Sequence, residues 1–440
     1  MEATPLVMDG VMYVSGAWSL VVALDARTGE RRWHRQLVRH DLWDRDPPAP
    51  PNLIRVRRQG RVIDAVAQVT KQGYVFVFDR QWGQPLFRID DVEVPPSTLA
   101  GEAAWPRQPV PVLPAPFARQ AWQLAEDDLS PYAGNRAELL EIFRKSDRRF
   151  YAPPDLDGVL LLPGYDGGAE WGGAAADPDD GILYVNSSEM AWFLKMEPAT
   201  AAGQAAVATP PGEAAYQTFC SSCHRSDRSG NAASGYPSLV GVARRRDKAY
   251  VLNLVSNGKG MMPGFPQLSK ETKAAIVAFL FGEEKKEAGS SATAQAAPPL
   301  PYRHTGYQKF LDDHGWPAIS PPWGTLSAID LNTGQYRWQV TLGETEALRQ
   351  QGHPPTGCEN YGGPVVTASG LLFIAATKDG KFRAFDKESG KLLWETTLPA
   401  AAFATPATYE VDGKQYVVVA CGGEKLGTPK GNQIVAFALD

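Results

Sequence analysis

Cys220-Ser221-Ser222-Cys223-His224 sets two thiols three residues apart, with an imidazole directly after the second. This is the spacing at which haem c is attached. On one helical turn both sulfurs reach the porphyrin vinyl groups, and His224 then meets the iron. A bare C-x-x-C also serves as a redox pair or as half of a zinc site. Only four cysteines are present, and Cys358 and Cys421 stand alone and distant, so no second pair completes a zinc site. Cys421, in VVVACGG, reads as a small buried strand residue, and Cys358 is assigned no chemistry.

The elements around this motif read as helical. Pro211 opens a short helix that ends in the cysteine pair, and Ser269 caps a second whose Ile276, Phe279 and Leu280 fall on one face. Low-complexity stretches flank them: 199–211 on one side, and EEKKEAGSSATAQAAPPLP (283–301) on the other. Both read as flexible linkers. A small helical domain over roughly 210–285 is therefore expected inside something else.

That something else is repetitive. Asp25, Gly29 and Trp33 lie four apart, as do Asp330, Gly334 and Trp338, and Asp386, Gly390 and Trp394; a fourth copy has Asp79, Gly83 and Phe87. Each follows an apolar, β-branched run. The pattern predicts a hairpin in which the Asp side chain bonds the turn backbone, Gly supplies positive φ, and the aromatic starts the returning strand. Asp25 to Asp79 is 54 residues and Asp330 to Asp386 is 56, a period that suits one four-stranded propeller blade. About five blades are recognisable, at roughly 3–36, 60–92, 157–198 continued by 322–341, 362–398 and 402–439. The expected fold is an all-β propeller with the helical domain inserted in one blade. Its boundaries are 1–199 and 322–440 for the propeller, 205–287 for the insert, and 288–321 for linker and loop.

Composition narrows the partners. A net charge of −5 argues against nucleic acid or an anionic membrane, and 42 Gly with 36 Pro favours turn-rich β structure. No apolar run reaches 18 residues, and the first residues, Met1-Glu2-Ala3-Thr4-Pro5, show neither a basic nor an apolar signal segment.

Two resemblances add to this reading. Tyr236-Pro237-Ser238-Leu239-Val240-Gly241 and Asn257-Gly258-Lys259-Gly260-Met261-Met262-Pro263-Gly264-Phe265 resemble the small class I cytochromes c, over the whole insert. The resemblance makes Met262 the second axial ligand of the haem iron beside His224, with Met261 as the competing residue. Outside the insert, HDLWDRD (40–46), AVAQVTKQGY (65–74), GAEWGG (168–173) and FATPATYEVDGKQY (403–416) resemble the PQQ-dependent quinoprotein dehydrogenases of the membrane glucose dehydrogenase type, and the N-terminal 33 residues resemble the first blade of the quinohaemoprotein alcohol dehydrogenases.

That family is eight-bladed and oxidises a sugar, polyol or alcohol with PQQ and calcium. The resemblance implies that Asp44 is the base taking the substrate hydroxyl proton and that Lys71 bonds the quinone oxygens of PQQ. It places Trp171 and Asn186 along the cofactor and makes Asp44 a candidate calcium ligand as well. The haem would pass electrons to a downstream cytochrome or quinone. Attachment to C-x-x-C-H implies a periplasmic protein. The blades that carry the aromatic floor under PQQ, the groups on its carboxylates and most calcium ligands are not located here, nor is the vicinal cysteine pair. The chain therefore reads as internally shortened. Two other outcomes stay open: a haem c carrier on a non-catalytic scaffold, and an inactive quinoprotein.

Overall fold

The computed structural model describes residues 3–199, 210–231, 235–259, 262–283 and 301–438. Two compact units emerge. One comprises Met1–Pro154, Val159–Phe193 and Lys309–Asp440; the other comprises Asp155–Gly158 and Leu194–Gln308.

The first unit is built on the repeated turn. Asp25 Oδ1 accepts from the backbone N–H of Arg27 and Thr28 at 3.0 and 3.1 Å, and Asp79 Oδ1 accepts from Gln81 and Trp82, both at 2.9 Å. Asp330 and Asp386 repeat this toward Asn332 and Ser389, each at 2.8 Å. The glycines that follow, Gly29, Gly83, Gly334 and Gly390, all have φ between +66° and +81°. Each turn reverses an antiparallel pair, and the strands assemble into successive sheets. The first holds Leu6–Met8, Val11–Gly16, Leu20–Asp25 and Arg31–Gln36; the second holds Asn52–Arg58, Arg61–Val69 and Val75–Asp79. The third joins Ala174–Asp177 and Ile182–Ser188 to Gly324–Asp330 and Gln335–Thr341. The fourth runs Val365–Val366, Leu371–Ile374, Lys381–Asp386 and Leu392–Thr397, and the fifth Ala407–Val411, Lys414–Cys421 and Gln433–Ala438.

Buried apolar clusters join each sheet to the next. Tyr13 and Trp33 of the first pack on Val66, Phe76 and Phe78 of the second; Ile54 and Val77 meet Leu183 and Ile329 of the third. Tyr184 and Leu326 meet Leu372 and Phe385 of the fourth, and Phe382 meets Val417 and Val419 of the fifth. Among the described residues no buried cluster joins the fifth sheet to the first. The repeat aromatic makes the join specific. A Cβ on Gly83 would lie 2.6 Å from the Trp33 ring, one on Gly334 2.9 Å from Phe87, and one on Gly390 2.7 Å from Trp338. The indole N–H groups of Trp33 and Trp338 donate to the carbonyls of Arg80 and Lys387, each at 3.0 Å, in those same turns. At these three junctions the repeat aromatic therefore lies on the bare glycine of the next sheet's turn, whereas Trp394 of the fourth sheet packs on Phe382 and Phe437.

The third sheet carries the insertion. Ile182 pairs with Asp330 and Ser188 with Gly324, so these strands form a hairpin although the second unit lies between them in sequence. Sequence and structure differ at some edges. The second sheet begins at Asn52 rather than near 60, and Ile89–Glu93 pairs with Arg107–Pro111 in a separate ribbon. The helix Arg136–Lys145 had no sequence signal; it buries Leu139 and Phe143 against Phe310, Ala318 and Ile319. Those last residues belong to the stretch read as linker and loop, of which 288–300 lies outside the described residues.

In the second unit the helix Pro211–Phe219 leads through Cys220 into the turn Ser221–His224. Lys270–Leu280 is capped by Ser269, whose hydroxyl accepts from the Thr272 N–H, and it buries Ile276 and Leu280. A third helix, Lys248–Asn257, is capped by Asp247. Together they bury Tyr216, Cys220, Val251, Val255, Ile276 and Leu280, with Met262 packed against the same cluster.

Candidate active site

The segment 40–46 is held by its first acid. Asp41 accepts from the N–H of Trp43 at 2.9 Å and of Arg45 at 2.6 Å. This Asx turn sends Asp44 into the left-handed region, φ +59°. Trp43 anchors the loop, fully buried, with its indole N–H on the Ala152 carbonyl at 2.7 Å. Arg45 lies buried beside it, donating to the carbonyls of Pro163 at 2.5 Å and of Lys71 and Gly164 at 3.4 Å.

Lys71 arrives from the end of the strand Arg61–Val69, on a turn in which the Tyr74 N–H donates to Thr70 Oγ1 at 3.1 Å. Its stem lies against Gly167, where a Cβ would sit 2.6 Å from Cγ, and its carbonyl accepts from the Gly168 N–H at 2.7 Å. The ammonium is 2.9 Å from Asp46 Oδ1 and 3.4 Å from Asp44 Oδ2. The Asp44 side chain is still 46% exposed, yet protein packed around its carboxyl lifts the pKa to about 6; Lys71 pulls it down, while Asp46 and Asp41 push it up. Burial also pushes Asp46 up, but the charge and hydrogen bond of Lys71 outweigh this and leave it below the ordinary carboxylate range. Burial opposes the charge on Lys71, yet Asp44, Glu170 and Asp46 hold its pKa above that of a free lysine.

The turn 168–173 comes next. Glu170 is buried with neither carboxyl oxygen bonded, and burial first, then Asp166 and Asp44, raise its pKa well above the usual range. Gly172 and Gly363 touch backbone to backbone: a Cβ on Gly172 would lie 2.1 Å from the Gly363 nitrogen. This contact brings Trp171 toward Tyr361. Asn186 reinforces it, its Nδ2 donating to Asn360 Oδ1 at 2.7 Å and to the Gly362 carbonyl at 2.8 Å, while its Oδ1 is buried without a partner.

The first unit therefore gathers Asp44 and Lys71 within 4 Å and places Asn186 on the turn beside Trp171. Asp46, Asp166, Glu170, Tyr361 and Lys425 join them and were not singled out in the sequence. Asp46 stood within the quoted HDLWDRD and Glu170 within GAEWGG; Lys425, in a Gly-rich loop, had no signal. The buried Lys71 ammonium, a donor, and the Trp171 indole face fit a flat, carbonyl-rich cofactor such as PQQ, whereas the orphaned oxygens of Glu170 and Asn186 are acceptors that a donor or a cation would satisfy. The Asp44 carboxyl faces the Lys71 ammonium at 3.4 Å. Among the described residues no three His, Cys, Asp or Glu side chains gather to hold a metal.

In the second unit His224 is buried and its Nδ1 lies 2.9 Å from the Pro237 carbonyl. A carbonyl only accepts, so Nδ1 carries the proton and Nε2 is left with its lone pair. Burial lowers the His224 pKa and pushes the Cys220 thiol up to about 12. A neutral imidazole with a free Nε2, one turn from two unbridged cysteines, fits haem c attachment. Met262 sits where Lys259 and Met262 exchange backbone hydrogen bonds at 2.9 and 3.1 Å; Met261 lies outside the described residues.

Comparisons with known proteins bear on the family. The family model of the PQQ glucose/ethanol/alcohol dehydrogenase β-propeller domain matches residues 16–231 and 233–417. The chain belongs to that family of quinoprotein propellers. A probable quinate dehydrogenase (quinone) of Xanthomonas campestris pv. juglandis is 31% identical over 95% of this chain and 44% of its own length. The glycerol dehydrogenase large subunit of Gluconobacter oxydans is 31% identical over 96% of this chain and 49% of its own. A quinohaemoprotein alcohol dehydrogenase of Comamonas testosteroni matches in structure with a TM-score of 0.48 at 18% identity, over 98% of this chain and 46% of that one. The chain spans about half the length of the curated relatives it matches.

Proposed function

We propose that the chain is the catalytic part of a periplasmic PQQ-dependent dehydrogenase that oxidises a hydroxyl of a sugar, polyol or alcohol and passes the electrons to a haem c in its second unit. The observation that carries this reading is the Asp44–Lys71 pair: a buried ammonium 3.4 Å from a carboxylate held at positive φ. When bound, PQQ supplies the acceptor for the hydride leaving the carbinol carbon. The chain's own residues do the rest. Asp44, in its ionised form, accepts the hydroxyl proton. Lys71 keeps a positive charge fixed beside it, away from bulk water, where quinone oxygens gain negative charge. Trp171 offers a half-exposed ring face, and Asn186 fixes the 360–362 segment against which Gly172 packs.

A haem c would be held by Cys220 and Cys223 through thioether sulfurs, with His224 and Met262 as the residues that would bind its iron. His224 is oriented by the Pro237 carbonyl. A His/Met pair raises the haem potential, which suits an acceptor of electrons from a reduced quinone. The periplasmic assignment follows from the attachment chemistry of C-x-x-C-H. A downstream cytochrome or quinone is the next acceptor, met in a small transient contact.

The test is to export the chain to a periplasm, load it with PQQ and calcium, and follow the haem absorbance. Haem reduction on adding glucose, glycerol or ethanol, abolished in Asp44→Asn, is the expected result. A normal haem spectrum that stays oxidised with every alcohol, and no PQQ retained, would leave only an electron carrier.

A further inference from the structure

One cation near this site has no direct counter-ion. Lys425 lies in the loop between the last two strands, and its Nζ stands 3.6 Å from the Tyr361 ring centre and 4.6 Å from that of Trp171. Two aromatic faces stabilise a cation but accept none of its three N–H donors. No carboxylate of the described residues comes within 4 Å of it as an ion-pair partner. The nearest acids are otherwise engaged. Burial favours neutral Glu170, and the Tyr361 hydroxyl is directed at Asp166. Lys309 adds a second positive charge nearby, itself buried on Glu359.

The loop is built to hold this position. Glu424 and Leu426, on either side, have φ of +68° and +58°, a conformation non-glycine residues keep only when the surroundings impose it. The Gly423 N–H donates to the Ala401 carbonyl at 2.9 Å, and the Thr428 hydroxyl donates to the Lys425 carbonyl at 2.9 Å. Burial lowers the Lys425 pKa and Lys309 adds to this, while the charges of Asp166, Glu170 and Glu359, none of them in direct contact, pull it back up.

We infer that Lys425, between Trp171 and Tyr361, is the centre of a carboxylate-binding subsite at the Asp44–Lys71 site. A carboxylate is flat enough to enter beside two rings, and its oxygens accept the donors that the aromatic faces leave idle. Two sources carry this group: the PQQ cofactor and a hydroxy-acid substrate. The inference rests on the reading of this site as a quinoprotein dehydrogenase.

The experiment measures two quantities in the full chain and in Lys425→Gln and Lys425→Arg, after a thermal melt shows each variant folded. One is the affinity for PQQ, from quenching of tryptophan fluorescence. The other is kcat/KM for quinate, an anionic substrate, against glycerol, a neutral one. Loss of one charge-assisted contact costs about ten- to hundred-fold in affinity. PQQ affinity falling by that factor in Lys425→Gln and returning in Lys425→Arg assigns the subsite to the cofactor. Unchanged PQQ affinity, with kcat/KM falling for quinate and not for glycerol, assigns it to the substrate. Unchanged values for both overturn the subsite while leaving the dehydrogenase reading intact. A wild-type chain that binds no PQQ overturns both.

Discussion

At the scale of single residues, burial decides which side chains do chemistry, and burial is what a sequence conceals. Asp44 and Lys71 were legible because their neighbours matched a family pattern. Glu170 and Lys425 were not, since a lone acid or lysine in a Gly-rich turn has the same letters whether solvated or enclosed. His304 makes the point with a measurable consequence. It lies in the strand Tyr302–His304, paired with Met196–Pro198, and its Nδ1 accepts from the Gly306 N–H at 3.0 Å. Burial lowers its pKa to about 4. An unfolded histidine titrates near 6.5, so the unfolded chain binds this proton first as the pH falls. The neutral form's contribution is complete above about pH 6.5 and is lost as the pH drops toward 4. The second unit is expected to melt at a lower temperature at pH 4.5 than at pH 7.5, and His304→Phe to flatten that difference. Melting curves at the two pH values decide it; an unchanged slope in the variant would assign the acid sensitivity to another group.

At the scale of elements, the repeated Asp-Gly-aromatic turn was the most legible feature, because its chemistry is local. The carboxylate caps its own turn, and positive φ selects glycine whatever lies around it. What the sequence did not reveal is that some of these glycines serve a second purpose. Gly29 has φ +73° with open space beyond, whereas Gly83 has φ +66° and the Trp33 ring against it. Gly29→Ala is expected to cost about 1 kcal/mol, from backbone strain alone. Gly83→Ala adds the overpacking against Trp33 and should cost about 2–4 kcal/mol. Urea denaturation of the two variants tests this, and equal costs would mean that the ring moves aside freely. The helix Arg136–Lys145 escaped the reading because its buried face is completed by Phe310 and Ile319, far away in sequence.

At the scale of the whole chain, the insertion was legible from a broken period and a change from strand to helix pattern. The helix Lys248–Asn257 went unread, although its Asp247 cap accepts from the Tyr250 N–H at 2.7 Å. The haem reading of this unit has its own test, independent of the propeller's activity. Chain exported with the haem-attachment machinery should carry covalent haem that survives denaturation, and Cys220→Ser should reduce its yield. Met262→Ala should keep the covalent haem but lose the Met–iron charge-transfer band in the red. Retention of that band would point to Met261 as the ligand instead.

The contact of Trp33 on Gly83, Phe87 on Gly334 and Trp338 on Gly390 has a historical implication. Each junction needs only a ring at the end of one module and a missing side chain in the last turn of the next. Modules that share such a coupling can be dropped, duplicated or interrupted by foreign sequence, and their neighbours still meet through the same fitting. A lineage built this way can change its number of blades, or host an inserted unit within one, without redesigning its core.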